Sequence, residues 1–120
     1  MNQIENYPIR QSKETKHFFR IRKVWDIGDK AIDRYTVTFD IYDAQTGKWV
    51  PFSEGVNVND IPNSSSYDRI YCLCMNAAPF HPQGFGQSGT CTEGRHLGKR
   101  ISFQQLPEDC KKCCYQYMEG

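Results

Sequence analysis

A strict alternation of side-chain character between residues 35 and 42 constrains the fold more than any other feature. One set of alternate residues is apolar and the other is polar or amphipathic: Tyr35, Val37, Phe39 and Ile41 against Thr36, Thr38, Asp40 and Tyr42. Successive side chains of a β-strand lie on opposite faces, so this period of two predicts a strand with one apolar face. A chain organised around such a strand must build a sheet and cover its apolar side.

Strands are also predicted on both sides of this one. Residues 16–25 are rich in aromatic and β-branched side chains and place Arg20 and Arg22 on one wet face. A turn then leads into residues 48–52, where Pro51 cannot donate a ladder hydrogen bond and so favours an edge position. These three strands are expected to form a meander.

The second half of the chain predicts two further strands and a helix. Residues 69–75 are apolar on both faces, which is typical of a central strand, and residues 99–103 can form the last strand. Proline followed by two acidic residues at 107–109 is typical of a helix start. Beyond it, a single helix face collects side chains at spacings of three and four: Leu106, Cys110, Cys113, Cys114 and Tyr117.

The predicted class is therefore α+β, with a small antiparallel sheet of about five strands, open or barrel-like, and a C-terminal amphipathic helix packed on it. A length of 120 residues suits one core and is too short for two. Residues 1–14 are polar and aperiodic and are interpreted as a flexible N-terminal arm, and residues 15–120 as a single domain. Residues 53–68 form a long polar loop, either functional or mobile.

Charge and hydropathy limit the classes of partner. Fifteen Lys and Arg residues against fourteen Asp and Glu residues give a net charge of +1, so no long-range field draws in nucleic acid or a membrane. Either partner would need a local patch. The N-terminus shows no signal-peptide pattern and no stretch has the apolar length of a membrane span, so the sequence predicts a cytoplasmic protein with reduced cysteines.

Residues 79–98 hold the mixture most suited to recognition and are interpreted as a long loop. Their prolines fix some backbone angles and their glycines free others, which lets a loop present backbone donors and an aromatic ring to a partner. The alternative is that they only shape a connection, with Phe80 and Phe85 packed on the core. The candidate contact residues of this region are His81, Gln83, Phe85, Gln87, Arg95, His96, Lys99 and Arg100.

Two chemical alternatives involve the thiols. Cys91 with His81 or His96 could form a Cys–His nucleophilic pair, but the sequence offers no third group to orient the base, so we predict that the protein is not an enzyme. Soft ligands for tetrahedral zinc are also present: Cys72, Cys74, Cys91, His96, Cys110 and Cys113.

The spacing of these ligands argues against zinc. One cysteine pair alternates along a strand and the other lies on a helix face, whereas structural zinc sites usually bring two thiolates together in a turn. Free cysteine also behaves as a small buried hydrophobe. Packing in the core is therefore the preferred interpretation, and the sequence predicts no metal and no cofactor.

Three stretches carry a resemblance to a group of proteins. Residues 78–87 (APFHPQGFGQ), 96–103 (HLGKRISF) and 106–110 (LPEDC) look like small uncharacterised proteins encoded by phages, prophages and plasmids. The resemblance covers about residues 70–115. It implies a mobile-element setting in a bacterial host, where small proteins often block a host enzyme, and it carries no established activity.

The first functional hypothesis is thus a non-enzymatic binding protein of mobile-element origin, for example an inhibitor of a host defence nuclease such as a CRISPR effector. Its contact surface would be residues 79–100 with the basic residues beside them. The alternative is a small nucleic-acid-binding module, with or without the zinc site above, in which Arg95, Lys99 and Arg100 neutralise phosphates and Phe85 or Tyr71 stacks on a base. The oligomeric state is left open.

Overall fold

The computed structural model describes residues 8–53, 69–84 and 86–120, which form one mixed sheet-and-helix unit. Seven strands and one α-helix follow in chain order: β1 Ile9–Gln11, β2 Phe18–Asp26, β3 Tyr35–Asp43, β4 Lys48–Pro51, β5 Ile70–Met75, β6 Gly86–Cys91, β7 Lys99–Ile101 and α1 Glu108–Glu119. Short 3-10 helices at Arg95–Leu97 and Phe103–Gln105 flank β7. Among these residues no helix is long and apolar enough to cross a bilayer.

All pairings in the sheet are antiparallel, and the long hairpin of β2 and β3 is its centre. Strands β1 and β7 lie on the same side of β2, at its first and last residues respectively. On the other side of β3, β5 pairs with its first half and β4 with its second half. Strand β6 continues the sheet beyond β5. The sheet is open within the described ranges, so the barrel-like option does not apply.

The core lies between one face of this sheet and α1. The alternate residues Tyr35, Val37, Phe39 and Ile41 are all buried there, which confirms the predicted strand. From the helix, Cys110, Cys114 and Met118 are fully covered, and the Tyr117 ring packs 4.7 Å from the Phe39 ring between centroids. The predicted α+β class, with an antiparallel sheet and a packed C-terminal helix, is confirmed.

The edge position of β4 and the central position of β5 are also as predicted, since among the described strands β4 pairs with β3 alone and β5 pairs on both sides. Two strands were not predicted. Strand β6 lies inside residues 79–98, which were expected to form a loop, and its glycines and serine gave no strand signal. Phe80 is 48% exposed, so it is not packed on the core.

The other addition is β1, which falls within the arm expected at residues 1–14. Residues 9–11 pair in register with β2, and the Lys13 amide donates to the Glu119 carbonyl over 2.8 Å. This part of the arm is therefore a sheet edge tied to α1. Residues 1–7, most of the polar loop at 53–68, and Phe85 lie outside the described residues.

Candidate partner-binding surface

The sheet face opposite α1, here called the polar face, follows from the same alternation that builds the core. Its side chains include Arg20, Arg22, Thr36, Thr38, Asp40, Cys72 and Cys74, of which the three from β3 are buried although polar. Buried polar groups need partners to offset the cost of leaving water. Thr38 finds its partner in Glu93, from the chain between β6 and β7. Asp40 pairs with Arg20 and Arg22 of β2, and the Thr36 hydroxyl lies against the Cys74 thiol of β5.

Residues 92–98, here called the crossing segment, pass over the polar face from the end of β6 to the start of β7. Glu93 anchors this segment. Its carboxylate accepts two hydrogen bonds from the guanidinium of Arg22, at 3.0 and 3.2 Å, and one from the Thr38 hydroxyl at 2.9 Å. Lys23 Nζ lies 3.5 Å from the same carboxylate. A two-pronged Arg–carboxylate pair fixes orientation as well as charge.

Electrostatics favour the ionised form of Glu93. Burial alone would raise the pKa of its carboxyl, but the hydrogen bonds from Arg22 and Thr38 and the nearby positive charges outweigh that effect and leave the pKa below its ordinary value. Asp40 continues the network, with Arg20 Nε at 2.9 Å and Arg22 Nη1 at 3.3 Å. Glu93 is therefore a charged anchor at neutral pH.

A basic cleft opens beside this anchor. It has a volume of about 270 Å³ and is lined by Lys23, Trp25, Glu93, Gly94, Arg95, Gly98 and Arg100. The Trp25 ring, only 3% exposed, lies beneath the Arg100 guanidinium, 5.6 Å away, because the two residues face each other in the β2–β7 register. Three cations thus line this space, and its single carboxylate, Glu93, is shared among Arg22, Thr38 and Lys23.

Gly98 sets the approach of the crossing segment to β2. Its φ of +111° lies in the region that favours glycine, and a Cβ there would fall 2.5 Å from the Asp26 carbonyl oxygen. No other residue type fits without a shift of backbone. The cleft therefore depends on this glycine as well as on the Glu93 anchor.

A second cavity, of about 200 Å³, lies on the polar face where β5 meets β6. Its lining comprises Asp33, Cys72, Cys74, Gln87, Ser88, Gly89 and Thr90. The sulfurs of Cys72 and Cys74 are 3.8 Å apart, and Cys74 Sγ lies 3.9 Å from the Thr36 hydroxyl. A thiolate at Cys74 can accept both hydrogen bonds.

These contacts give the three thiols of the polar face different pKa values. A hydrogen bond from Cys72 lowers the pKa of Cys74 to about 7, against the opposing effect of burial. Contact with Cys72 likewise lowers the pKa of Cys91, whereas the pKa of Cys72 itself is raised by its two sulfur neighbours and by burial. Of these three thiols, Cys74 and Cys91 therefore lose a proton more easily than Cys72, which is the most buried of the three.

This geometry supports neither the zinc site nor the Cys–His pair. Within residues 8–53, 69–84 and 86–120, no three His, Cys, Asp or Glu side chains are grouped to hold a metal ion. Cys110 faces the core and donates to the Asn76 carbonyl over 3.2 Å, away from the thiols on the polar face. The groups that shift the pKa of Cys91 are cysteines, Glu93 and Arg69, with no histidine among them.

The structure distributes the candidate contact residues over three places. Arg95 and Arg100 meet at the basic cleft, with Lys99 next to them on β7 and His96 exposed in the 3-10 helix. Gln87 lines the thiol cavity. His81 and Gln83 lie in the turn before β6, where the Gln83 amide donates to His81 Nδ1 over 3.1 Å.

Sequence reasoning missed Glu93 and the role of Trp25. Neither carries a local signal, because Glu93 meets Arg22 across 71 positions of sequence and Trp25 meets Arg100 only through strand pairing. No family model, no curated protein and no solved structure matches this chain.

Proposed function

We propose that the protein is a non-enzymatic binding protein that holds an acidic group of a protein partner in the basic cleft. The observation that carries this proposal is that Lys23, Arg95 and Arg100 line one cleft together with Trp25, whose ring lies beneath the Arg100 guanidinium. Arginine on a concave surface is typical of the residues that dominate interface energies, and the buried Trp25 ring supports the Arg100 guanidinium from below. The proposal requires no catalytic residue and no cofactor.

Charge complementarity gives the partner its chemistry. The chain as a whole is nearly neutral, so the cleft is a local positive feature and favours an Asp- or Glu-bearing surface at short range. The identity of the partner rests on the resemblance to mobile-element proteins alone. A host or phage protein in the bacterial cytoplasm, with a host defence nuclease such as a CRISPR effector as the first to test, is consistent with it.

A nucleic-acid-binding module is the second candidate, because the same three cations could neutralise phosphates. The two candidates differ in their response to salt and to nuclease. Binding through phosphates falls steeply and linearly with the logarithm of salt concentration. A protein partner survives nuclease treatment.

The test is affinity capture of the tagged protein from a bacterial host lysate, with and without nuclease. We expect a stoichiometric protein partner that survives nuclease and is lost when Arg95→Glu or Arg100→Glu reverses a charge of the cleft. Lys112→Glu makes the same change on the exposed side of α1 and should retain the partner. Equal retention by all three variants would refute the role of the cleft, and retention that vanishes with nuclease would favour the second candidate.

A further inference from the structure

We propose that β6 is an open sheet edge to which an extended segment of a protein partner adds as a further strand. The inference rests on the proposed function only in that both require a binding protein; it uses a surface separate from the basic cleft. Addition of a strand to an exposed edge draws affinity from main-chain hydrogen bonds and specificity from alternate side-chain pockets.

The other outer strands carry features that discourage strand addition. Strand β1 has three residues and an arginine, β4 has four residues with a lysine and a proline, and β7 has three residues with a lysine and an arginine. Short length, charge and proline are the usual protections of an edge. Strand β6 has six uncharged residues, GQSGTC, without proline and without a break in register.

The pattern of bonded and non-bonded pairs between β5 and β6 shows which β6 backbone groups point away from β5. The Tyr71 amide donates to the Phe52 carbonyl over 3.0 Å, on the side of β5 away from β6. In an antiparallel ladder the bonded and non-bonded pairs alternate, so Tyr71 and Thr90 form a non-bonded pair and Cys72 and Gly89 a bonded one. The amide and carbonyl groups of Ser88 and Thr90 therefore point away from β5.

Within the described part of the chain, the outward groups of Ser88 are available to a partner, whereas the Thr90 carbonyl already has one. The Thr90 carbonyl accepts a hydrogen bond from Arg69 Nη2 over 3.3 Å. Ser88 offers both its amide and its carbonyl, since β6 pairs with β5 alone among the described strands. The central residue of the edge thus presents one donor and one acceptor in the geometry of a ladder.

Pockets lie on both faces beside this edge because the β6 side chains are small. On the α1 side, a cavity of about 330 Å³ is lined by Phe52, Tyr71, Ser88, Gly89, Thr90 and Tyr117. The Phe52 and Tyr71 rings, which both line this cavity, lie 4.6 Å apart between centroids. On the polar side lies the thiol cavity of about 200 Å³. Alternate side chains of an added strand would enter the two cavities in turn.

The cavities define the chemistry of the added strand. The aromatic cavity suits a large apolar or aromatic side chain, and the narrower thiol cavity, with Asp33 and Gln87 on its lining, suits small or polar neighbours. A second copy of β6 does not meet this requirement, since its own side chains are small or polar and would leave the aromatic cavity empty. The fitting occupant is therefore a foreign segment with an aromatic or large aliphatic anchor.

The probe for this proposal is a displayed library of random nine-residue peptides selected on the folded protein, followed by synthesis of the strongest binder. We expect an enriched aromatic or large aliphatic residue with small or polar residues on either side. Ser88→Pro removes the outward amide without removing a bond to β5, so it should weaken peptide binding by roughly tenfold or more, the equivalent of about one ladder bond. Ser88→Ala keeps the outward amide and changes only the side chain, so it should lose much less affinity than Ser88→Pro.

Amide hydrogen exchange tests the same geometry on the unaltered protein. Bound peptide should slow exchange at Ser88, whereas Gly89, already in the β5 ladder, should change little. This measurement keeps the proposal falsifiable if Ser88→Pro fails to fold by circular dichroism. Unchanged exchange at Ser88, equal binding by folded Ser88→Pro, or a library that yields no edge-dependent peptide would each overturn the proposal.

Two further outcomes separate this inference from the proposed function. A dimer in sedimentation that Ser88→Pro abolishes would assign the edge to a second copy and overturn the foreign-strand proposal. Peptide binding should be indifferent to Arg95→Glu, which alters only the cleft. Loss of the captured partner on Arg95→Glu, together with no peptide at β6, would leave the proposed function standing and the inference refuted.

Discussion

Replacing Glu93 by glutamine should destabilise the protein because it removes the charge that two cations and a hydroxyl share. Glutamine keeps the size of the side chain and one acceptor oxygen. Its one oxygen cannot accept both hydrogen bonds from the Arg22 guanidinium and the hydrogen bond from the Thr38 hydroxyl. Its NH₂ group is itself a donor and would face the donor groups of these residues. The crossing segment thereby loses its anchor on the polar face.

The expected magnitude follows from how far the pair is removed from water. The Glu93 side chain is 15% exposed and that of Arg22 is 25% exposed, between a surface pair and a buried one. Breaking a buried pair costs about 3 to 5 kcal/mol, and an exposed pair contributes about 0 to 1 kcal/mol. We therefore expect Glu93→Gln to lower the free energy of unfolding by about 1 to 3 kcal/mol at pH 7.

The stability contributed by Glu93 should decrease as the pH is lowered. The pKa of Glu93 is lowered in the folded state, so its contribution to stability is full above its unfolded pKa of about 4.3 and is lost as pH falls through the lower folded value. The stability gap between wild type and Glu93→Gln should hold from pH 7 to about pH 5 and narrow below about pH 4.

Urea denaturation followed by circular dichroism at several pH values measures this gap. Glu119→Gln is the matched control, because Glu119 pairs with Arg10 at 3.3 Å with both side chains 39% exposed, and its loss should cost no more than about 0.5 kcal/mol. Equal effects of the two substitutions at pH 7, or a gap for Glu93→Gln that is unchanged at pH 3, would show that the network does not anchor the crossing segment.

Two further predictions concern the glycine and the thiol beside the two cavities. Gly98→Ala should destabilise the protein by about 2 to 4 kcal/mol, since the new Cβ meets backbone as well as an unfavourable φ. Gly28→Ala has a similar φ but open space around the Cβ and should cost only about 1 kcal/mol, so equal losses in thermal unfolding would refute the steric argument. The rate of iodoacetamide labelling at Cys74, followed by peptide mass spectrometry, should reach half its maximum near pH 7, in line with the pKa of about 7. Cys72→Ala should move that midpoint upward toward the ordinary thiol value of about 8.5, and an unmoved midpoint would rule out stabilisation of the thiolate by its neighbour.

The elements that sequence predicted well are those whose signal is local. The alternation of β3 and the three- and four-residue spacing of α1 each define a buried face by themselves, and Pro51 limits β4 to an edge. Each of these patterns reflects the contact of one element with a core, so it survives without knowledge of the partner element.

The elements that sequence missed depend on pairing between distant segments. Strand β6 lacks apolar alternation. It is a strand because it pairs with β5 through backbone hydrogen bonds, which any residue except proline can make. The Glu93 anchor and the floor of the basic cleft likewise exist only once the crossing segment lies over β2. Composition identified the arginines of the cleft but not the surface that orients them.

The two proposed surfaces are held by one continuous piece of chain, and this makes the Glu93 anchor relevant to binding as well as to stability. Strand β6 is paired to β5, the crossing segment is bonded to Arg22, and β7 is paired to β2, so little ordering remains to be done when a partner engages both surfaces. A partner that contacts the β6 edge and the cleft together gains from this fixed separation. Glu93→Gln should therefore weaken capture of such a partner while leaving the affinity of the β6-selected peptide unchanged. If both fall together, the anchor supports the edge itself; if neither falls, the two surfaces do not act on one partner.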